Sequence, residues 1–345
     1  MFLIKETPKT KSFYIKNVLI PNPIILAPMA GITDMVFRSI IKKMGAGLVY
    51  SEMISCNALH YGNQKTLSLM DFDKSETPIA IQIFGTDPQL MSEAAKMVED
   101  AGASIVDINL GCSVPKIIKS GAGAILCRDS VLLGKILEDV VRAVSIPVTI
   151  KIRKGWSNQE LNAAEVCRIA GECGIGAIAV HGRTSAQKFS GEADWDFIKK
   201  LKESTNLPLI GNGDIKTPGQ AVEMLEFSQC DGIMIGREAY YNPWIFKQSL
   251  EHLEISTKLK SKEELPDYST IPNLTLEDRK NLILYHLECL VKRYGEDRGV
   301  RKMRKFAAWQ TRGLPASACF RDKVFYIEAH KDMIELIDSY FMKSN

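Results

Sequence analysis

Short apolar runs rich in isoleucine and valine recur along the first 235 residues, separated by stretches of helical period. The runs are Ile24–Ala27, Leu48–Tyr50, Ile79–Phe84, Ile105–Ile108, Val148–Ile152, Ala177–Val180, Leu209–Ile210 and Gly232–Ile235. Between them, Asp34–Met44, Pro88–Ala101, Ser130–Val144, Gln159–Cys173, Trp195–Ser204 and Pro218–Phe227 carry apolar residues three and four apart, which predicts amphipathic helices. Asp87-Pro88 and Thr217-Pro218 read as an N-cap followed by a proline at the first helical position. Gly102 and Gly174 stand just past helix ends, where a left-handed residue is wanted. Only Ser55–Ser75 shows no clear helix. Eight buried strands alternating with helices predict one closed parallel barrel, a (β/α)8 TIM barrel. A doubly wound open sheet is the alternative. It would favour a GxGxxG turn after the first strand, whereas residues 26–31 read LAPMAG.

Beyond Leu253 the pattern changes. Residues 255–273 are polar, with two prolines, and read as a linker; Leu276–Phe341 is helical in pattern throughout. The expected organisation is a catalytic barrel over 1–253, a linker over 254–275 and an all-helical domain over 276–345. With 46% hydrophobic and 25% charged residues, the 345-residue chain has the make-up of an ordinary globular protein, which excludes global disorder. A net charge of +3, from 44 basic and 41 acidic residues, is too balanced to announce nucleic-acid binding, so any basic surface must be local. The eight cysteines are scattered, with no CxxC pair, which predicts neither a structural zinc site nor any other metal. No disulfide framework is visible, which points to a reducing, cytoplasmic location. The N-terminal MFLIKETPKTKSFYIKNV has no long apolar run and no stretch of about 18 apolar residues occurs, so no signal peptide and no membrane span are expected.

In a barrel of this kind the chemistry sits at the C-terminal ends of the strands, so the residues at the end of each run are informative. APMAG (27–31) succeeds the first and Glu52 the second; Gln82 lies within the third; Asn109-Leu110-Gly111-Cys112 succeeds the fourth. Lys151 and Arg153 belong to the fifth, His181-Gly182-Arg183-Thr184 succeeds the sixth, and the last two lead into Gly211-Asn212-Gly213-Asp214 and Gly236-Arg237. Nearly every strand delivers a polar or cationic group to one mouth, which a purely structural barrel has no need to do. The glycine-rich loops after strands seven and eight stand where such barrels bind phosphate, small residues letting backbone N–H groups approach an anion while the arginine adds charge. A lysine inside the apolar VTIKIR is costly unless paired or functional. Beside a phosphate site it suits an electron-rich ring, and Gln82 can offer donor and acceptor to a heteroaromatic edge. Together these features suggest flavin mononucleotide, which performs hydride chemistry that side chains cannot. Bland readings stand beside each of these: a buried ion pair for Lys151, a satisfied interior glutamine for Gln82. Cys112 differs from the other cysteines by lying on the catalytic face, and His181 is the only histidine at a strand end; His60, His252, His286 and His330 read as loop or surface residues.

The series LAPMAGITD (26–34), IQIFG (81–85), INLGCSVPK (108–116), GAG (121–123), KIRKGW (151–156), HGRT (181–184), NGDI (212–215) and IGR (235–237) closely resembles the tRNA-dihydrouridine synthase family. The likeness extends over the whole chain, and PWIF (243–246) and GVRKMRK (299–305) make it most similar to the DusB-type bacterial branch. The resemblance implies reduction of the C5=C6 bond of particular uridines in the D-loop of tRNA, with FMN as cofactor and NADPH as reducing co-substrate. It implies that Pro28, Met29 and Ala30 line the flavin through backbone, that Gln82 and Lys151 hold its pyrimidine ring, and that Asn109 and His181 lie close to substrate and flavin. Asn212, Gly213, Asp214, Gly236 and Arg237 would take the phosphate, and Cys112 would donate the proton to C5. One departure is visible: the family loop commonly reads GCP, whereas here it is GCS with proline at 115. Nothing points to an obligatory protein partner. The rivals are an FMN barrel that reduces a free pyrimidine or a dihydroorotate-like acid, and a barrel that only binds RNA.

The stretch 298–310, RGVRKMRKFAAWQ, predicts how RNA is held. At about 100° per residue Arg298, Arg301, Lys302 and Lys305 share a third of a helix circumference, opposite Val300, Met303, Phe306 and Ala307. The expectation is a helix packed on its apolar side that presents these cations outward to tRNA phosphates, with Arg153 and Arg183 as further contacts at the barrel mouth.

Overall fold

The computed structural model describes residues 10–258 and 274–344. Eight parallel strands succeed one another round a barrel: Ile24–Leu26, Val49–Tyr50, Ile79–Phe84, Ile105–Leu110, Val148–Arg153, Ala177–His181, Leu209–Asn212 and Gly232–Ile235. The first and last pair in parallel, Ile233 opposite Ile24. The seam between the first and second strands is closed by Leu26 N–H donating to Leu48 O at 3.0 Å and Gly47 N–H to Ile24 O at 2.8 Å. Inward positions recur every second residue, as the pleat requires. The lower interior is filled by Ile25, Ala80, Ile105, Ala177, Ala179, Ile210 and Met234. Outward positions such as Ile81, Val106, Ile150 and Val180 join the core under the helices.

The helices obey their sequence signals. Asp34, Asp87, Asp129, Asp194 and Thr217 each accept a backbone N–H from the first turn of the helix they open. Gly102 and Gly174 have φ of +85° and +80°, as the chain reversal after a helix demands. The helix after the fifth barrel strand is shorter than its pattern, Ala163–Glu172, because Ser157 and Glu160 form a small antiparallel bridge. The segment 55–75 holds two short α-helices, Cys56–His60 and Gln64–Leu67, and a 3-10 turn, Ser68–Met70. A hairpin that the hydrophobic pattern does not announce, Phe13–Ile15 with Val18–Ile20, plugs the N-terminal end of the barrel with Ile15 and Ile20.

The expected linker, 254–275, lies largely outside the described residues; its first part is helical, continuing Ile245–Lys258. Four further helices, Leu276–Tyr294, Glu296–Gln310, Ser317–Val324 and His330–Ser344, make up the C-terminal region. They share one continuous apolar cluster with the barrel. The seam is aromatic: Phe37 of the first barrel helix stacks on Phe306 at 5.2 Å, His286 lies 4.5 Å from Phe306, and Trp309 sits 4.3 Å from Tyr240. His286, expected at a surface, is thus fully buried, as His252 nearly is. Among the described residues no helix is long and apolar enough to cross a membrane.

Candidate active site

A cavity of about 1520 Å³ opens at the C-terminal ends of the strands. It is lined by Pro28, Met29, Ala30, Gln82, Asn109, Cys112, Lys151, His181, Asn212, Gly213, Asp214, Gly236 and Arg237. The structure therefore brings every residue expected to serve cofactor or catalysis into one chamber. The reason is the strand period. Gln82 stands opposite Asp107, Asp107 opposite Thr149, Asn109 opposite Lys151, and Arg153 and Asn212 both opposite His181, all on the inner face.

Below the mouth these polar groups are bonded to one another. Thr149 donates to Asp107 at 2.6 Å, Gln82 Nε2 donates to the other Asp107 oxygen at 2.7 Å, and Asn109 Nδ2 donates to Gln82 Oε1 at 2.8 Å. Asn109 Oδ1 accepts the N–H of Cys112 at 2.9 Å and of Gly111 at 3.3 Å. Burial pushes the Asp107 carboxyl up to about 6, against the opposing pull of Gln82, Thr149 and Lys151. Lys151 donates to Asn212 Oδ1 at 3.1 Å and among the described residues has no carboxylate in contact; burial, reinforced by the Arg153 charge, brings it down to about 8. His181 is held well below its ordinary value by burial and by Lys151, Arg153, Arg183 and Arg237, so its ring is neutral at pH 7.

The strand-seven loop needs its glycine. Gly213 has φ +136°, and a Cβ there would meet the Ala193 methyl at 2.4 Å. Asp214, assigned to phosphate from sequence, presents a carboxylate that is already claimed. It accepts from Arg183 at 2.6 and 2.9 Å and from Ala193 N–H at 2.8 Å, and Arg237 approaches to 3.5 Å. Although burial works the other way, these bonds keep it ionised and its pKa low. An acidic side chain repels phosphate, so the loop's usable groups are its backbone, Asn212 and the half-exposed Arg237.

Cys112 lies half-buried on the loop after strand four. The serine and displaced proline of GCSVP resolve simply: Pro115 opens a short helix, Pro115–Lys119, in the first-turn position a proline favours. Gly123 of the GAG motif passes directly beneath, where a Cβ would sit 2.6 Å from Cys112 O, and Ala124 N–H donates to that same carbonyl at 3.0 Å. Burial pushes the Cys56, Cys127 and Cys167 thiols up to about 12 and Cys230 up to about 11, so these cysteines stay protonated at neutral pH.

The cations expected to meet RNA fall into distinct environments. Arg153 is buried and donates to the carbonyls of Gly111, Thr184 and Lys188, while Arg183 is committed to Ser190, Gly191 and Asp214. Both brace the mouth. On the Glu296–Gln310 helix, Arg298 and Arg301 are exposed, Arg301 pairing with Asp297 one turn back at 2.8 Å. Lys302 and Lys305 do not point outward as expected. The helix lies beside the loop after the first strand, so Lys302 pairs with Asp34 at 2.8 Å and Lys305 donates to Gly31 O. Residues that sequence reasoning missed are Asp107 and Thr149, and Phe189, an exposed aromatic at the mouth with the guanidinium groups of Arg153 and Arg237 at 5.7 and 5.2 Å from its ring centre. Arg279 and Arg312 of the helical region also reach the cavity. A polar residue at an inward strand position was the available signal for Asp107 and Thr149; Arg279 and Arg312 depend on how the helical region docks.

Comparison with known proteins gives one consistent answer. The family model described as dihydrouridine synthase matches residues 25–344. A probable tRNA-dihydrouridine synthase of Rickettsia bellii is 44% identical over 313 residues, 90% of this chain and 92% of the relative. A tRNA-dihydrouridine synthase B of Xanthomonas campestris pv. campestris is 41% identical over 318 residues, covering 92% of each chain. Among solved structures, 2-naphthoyl-CoA reductase aligns with a TM-score of 0.56 at 15% identity, over 70% of this chain and 52% of that one. Histamine dehydrogenase from Rhizobium gives 0.54 at 14%, over 70% and 48%. At such identities these two likenesses concern the fold alone.

Proposed function

The chain belongs to the dihydrouridine synthase family, and from that premise we propose that it is a cytoplasmic tRNA-dihydrouridine synthase, an FMN-dependent, NADPH-driven oxidoreductase that reduces the C5=C6 bond of uridines in the tRNA D-loop. The observation that carries this reading is the convergence of Gln82, Lys151, Asn212 and the glycine loops with Cys112 in one chamber. The residues suit FMN. The cavity exceeds the ~300–1,000 Å³ of ordinary ligand sites, leaving room for both a flavin and a base. Lys151 is a cation facing it without a carboxylate in contact, and Gly236 and Gly213 keep side chains out of the phosphate end.

When bound, FMN supplies the hydride for uracil C6. Lys151 would hold the electron-rich end of the flavin ring and offset negative charge there. Gln82 and Asn109 would position ring edges by hydrogen bonds, and the backbone of Pro28, Met29 and Ala30 would form the wall. Neutral His181 orients by hydrogen bonding and carries no charge of its own. Cys112, on the loop above, gives its thiol proton to C5 as the second half of the reduction. The base must leave its stack to reach this depth, which costs less in a loop than in a duplex.

The test has two parts. Purified protein should be yellow and should fail to convert tRNA when Cys112→Ala is introduced, with a loss of about 10²–10⁴-fold while NADPH still reduces the flavin. Mass mapping of tRNA from cells lacking the protein should show uridine where wild-type cells carry dihydrouridine. A colourless protein that does not take up FMN overturns the cofactor assignment; full turnover by Cys112→Ala overturns the proton donor.

A further inference from the structure

The acid that serves uracil C5 in this reading stands on a loop, and a proton donor is useful only if that loop is fixed. Its carbonyls accept from Arg153, at Gly111 O, and from Ala124 N–H, at Cys112 O, while its N–H groups are held from below by one line of hydrogen bonds. The N–H groups of Cys112 and Gly111 donate to Asn109 Oδ1, Asn109 Nδ2 donates to Gln82 Oε1, Gln82 Nε2 donates to Asp107 Oδ2, and Thr149 donates to Asp107 Oδ1. Two of the links are primary amides. By shape alone an amide fits either way round; only its neighbours decide which end is oxygen. The backbone N–H groups at the top require the oxygen of Asn109. An acceptor at the bottom requires the nitrogen of Gln82. The line is satisfied from both ends, in one sense only.

We propose that Asp107 is a positioning residue for the proton donor: as a fixed acceptor on the barrel floor it anchors the amides of Gln82 and Asn109 in the one sense that lets them hold the Cys112 loop. Asp107 touches neither the thiol nor the cavity wall formed by the loop; it acts through two intervening side chains. Without its acceptor, the Gln82 amide is left buried with unpaired N–H groups and turns toward water in the cavity, and Asn109 then loses its lower partner. The inference rests on the proposed role of Cys112 for its functional meaning, but not for its test.

The test compares two substitutions of similar shape. Asp107→Leu keeps the branching and removes the acceptor. Asp107→Asn removes the charge and keeps the acceptor, because asparagine turns its oxygen to Gln82 and its nitrogen to the Thr149 hydroxyl, which accepts as well as donates. Alkylation of Cys112 by iodoacetamide is tracked by mass spectrometry of its peptide, with FMN at saturation and exposed Cys319 as internal reference. Asp107→Leu should raise the Cys112 rate about three- to tenfold, the scale of a lost hydrogen bond, and lower uridine turnover in parallel. Asp107→Asn should stay within about twofold of wild type in both. If Asp107→Leu does not fold, Gln82→Met breaks the next link and should raise the alkylation rate by a similar factor. An unchanged Cys112 rate in the folded acceptor-free variant overturns the proposal, as does an Asp107→Asn protein that behaves like Asp107→Leu. Because alkylation needs no turnover, a fully active Cys112→Ala enzyme would remove the acid assignment and leave this result standing.

Discussion

Two groups of cations in this molecule carry the same formal charge in opposite circumstances. Arg153 and Arg183 sit inside the barrel mouth with their N–H groups spent on named carbonyls and on Asp214. Arg298 and Arg301 stand on the outer helix in water. Between the extremes, Lys302 and Lys305 reach from that helix to the loop carrying Met29 and Ala30. Spacing along the sequence does not separate these groups; partners do. A buried guanidinium with its donors bonded is part of the wall, whereas an exposed one answers to whatever anion arrives.

The sharpest way to break this comparison is inside the well. Arg183, with its side chain 3% exposed, pairs with Asp214 at 19%. Arg183→Leu should lower folding stability by about 3–5 kcal/mol, the cost of stranding one member of a buried pair. Chemical denaturation read against wild type checks this, and a loss under about 1 kcal/mol, the range of exposed pairs, would place Arg183 with the dispensable surface charges.

Asp107 sharpens it by pH. Its folded pKa, about 6, is raised above the ordinary value of 3.8, so the folded state holds the proton more tightly. That contribution, at most about 3 kcal/mol, is fully present below about pH 4 and is lost as pH rises through 6. Stability of Asp107→Asn measured from about pH 4 to 7 should lack this decline; an identical profile in both proteins contradicts the burial account.

On the outer helix the expected effects concern binding. Arg301→Glu with Lys302→Glu should weaken tRNA affinity several-fold and reduce the salt dependence by roughly one ionic contact, that of exposed Arg301, because Lys302 is spent on Asp34, while flavin content stays normal. Unchanged affinity would move the RNA path to Arg237, Arg279 and Arg312 along the cleft. The smallest effect separates the two positions. Lys302→Glu alone breaks its tie to Asp34 and should cost about 1 kcal/mol of stability, whereas Arg301→Glu, at 60% exposure, should cost only a few tenths.

The barrel is legible in the sequence because its strands are buried on one face by helices and on the other by the core, so each reads as an apolar run with polar interruptions at the inward positions. Gln82, Lys151, His181 and Asn212 announce themselves in this way. Asp107 carries the same signal, but a carboxylate three residues inside a strand suggests nothing until its partners at 82 and 149 are seen opposite. The hairpin at 13–20 is illegible because strands of three residues leave too short a period to read. The orientation of Lys302 and Lys305 comes from a contact between helix and barrel 268 residues apart in sequence, which helical periodicity cannot contain.

That hairpin has a kinetic meaning. Ile15 and Ile20 cap a lower interior already filled by Ile25, Ala80 and Ile105, so the cavity opens at the C-terminal ends of the strands. On the proposed function, a dinucleotide that brings electrons and a polynucleotide that brings a uracil would use that same entrance. Such traffic would run one visitor at a time: the enzyme would be loaded, emptied of its first caller, and only then discharged, so that each substrate at high concentration would stand in the other's way.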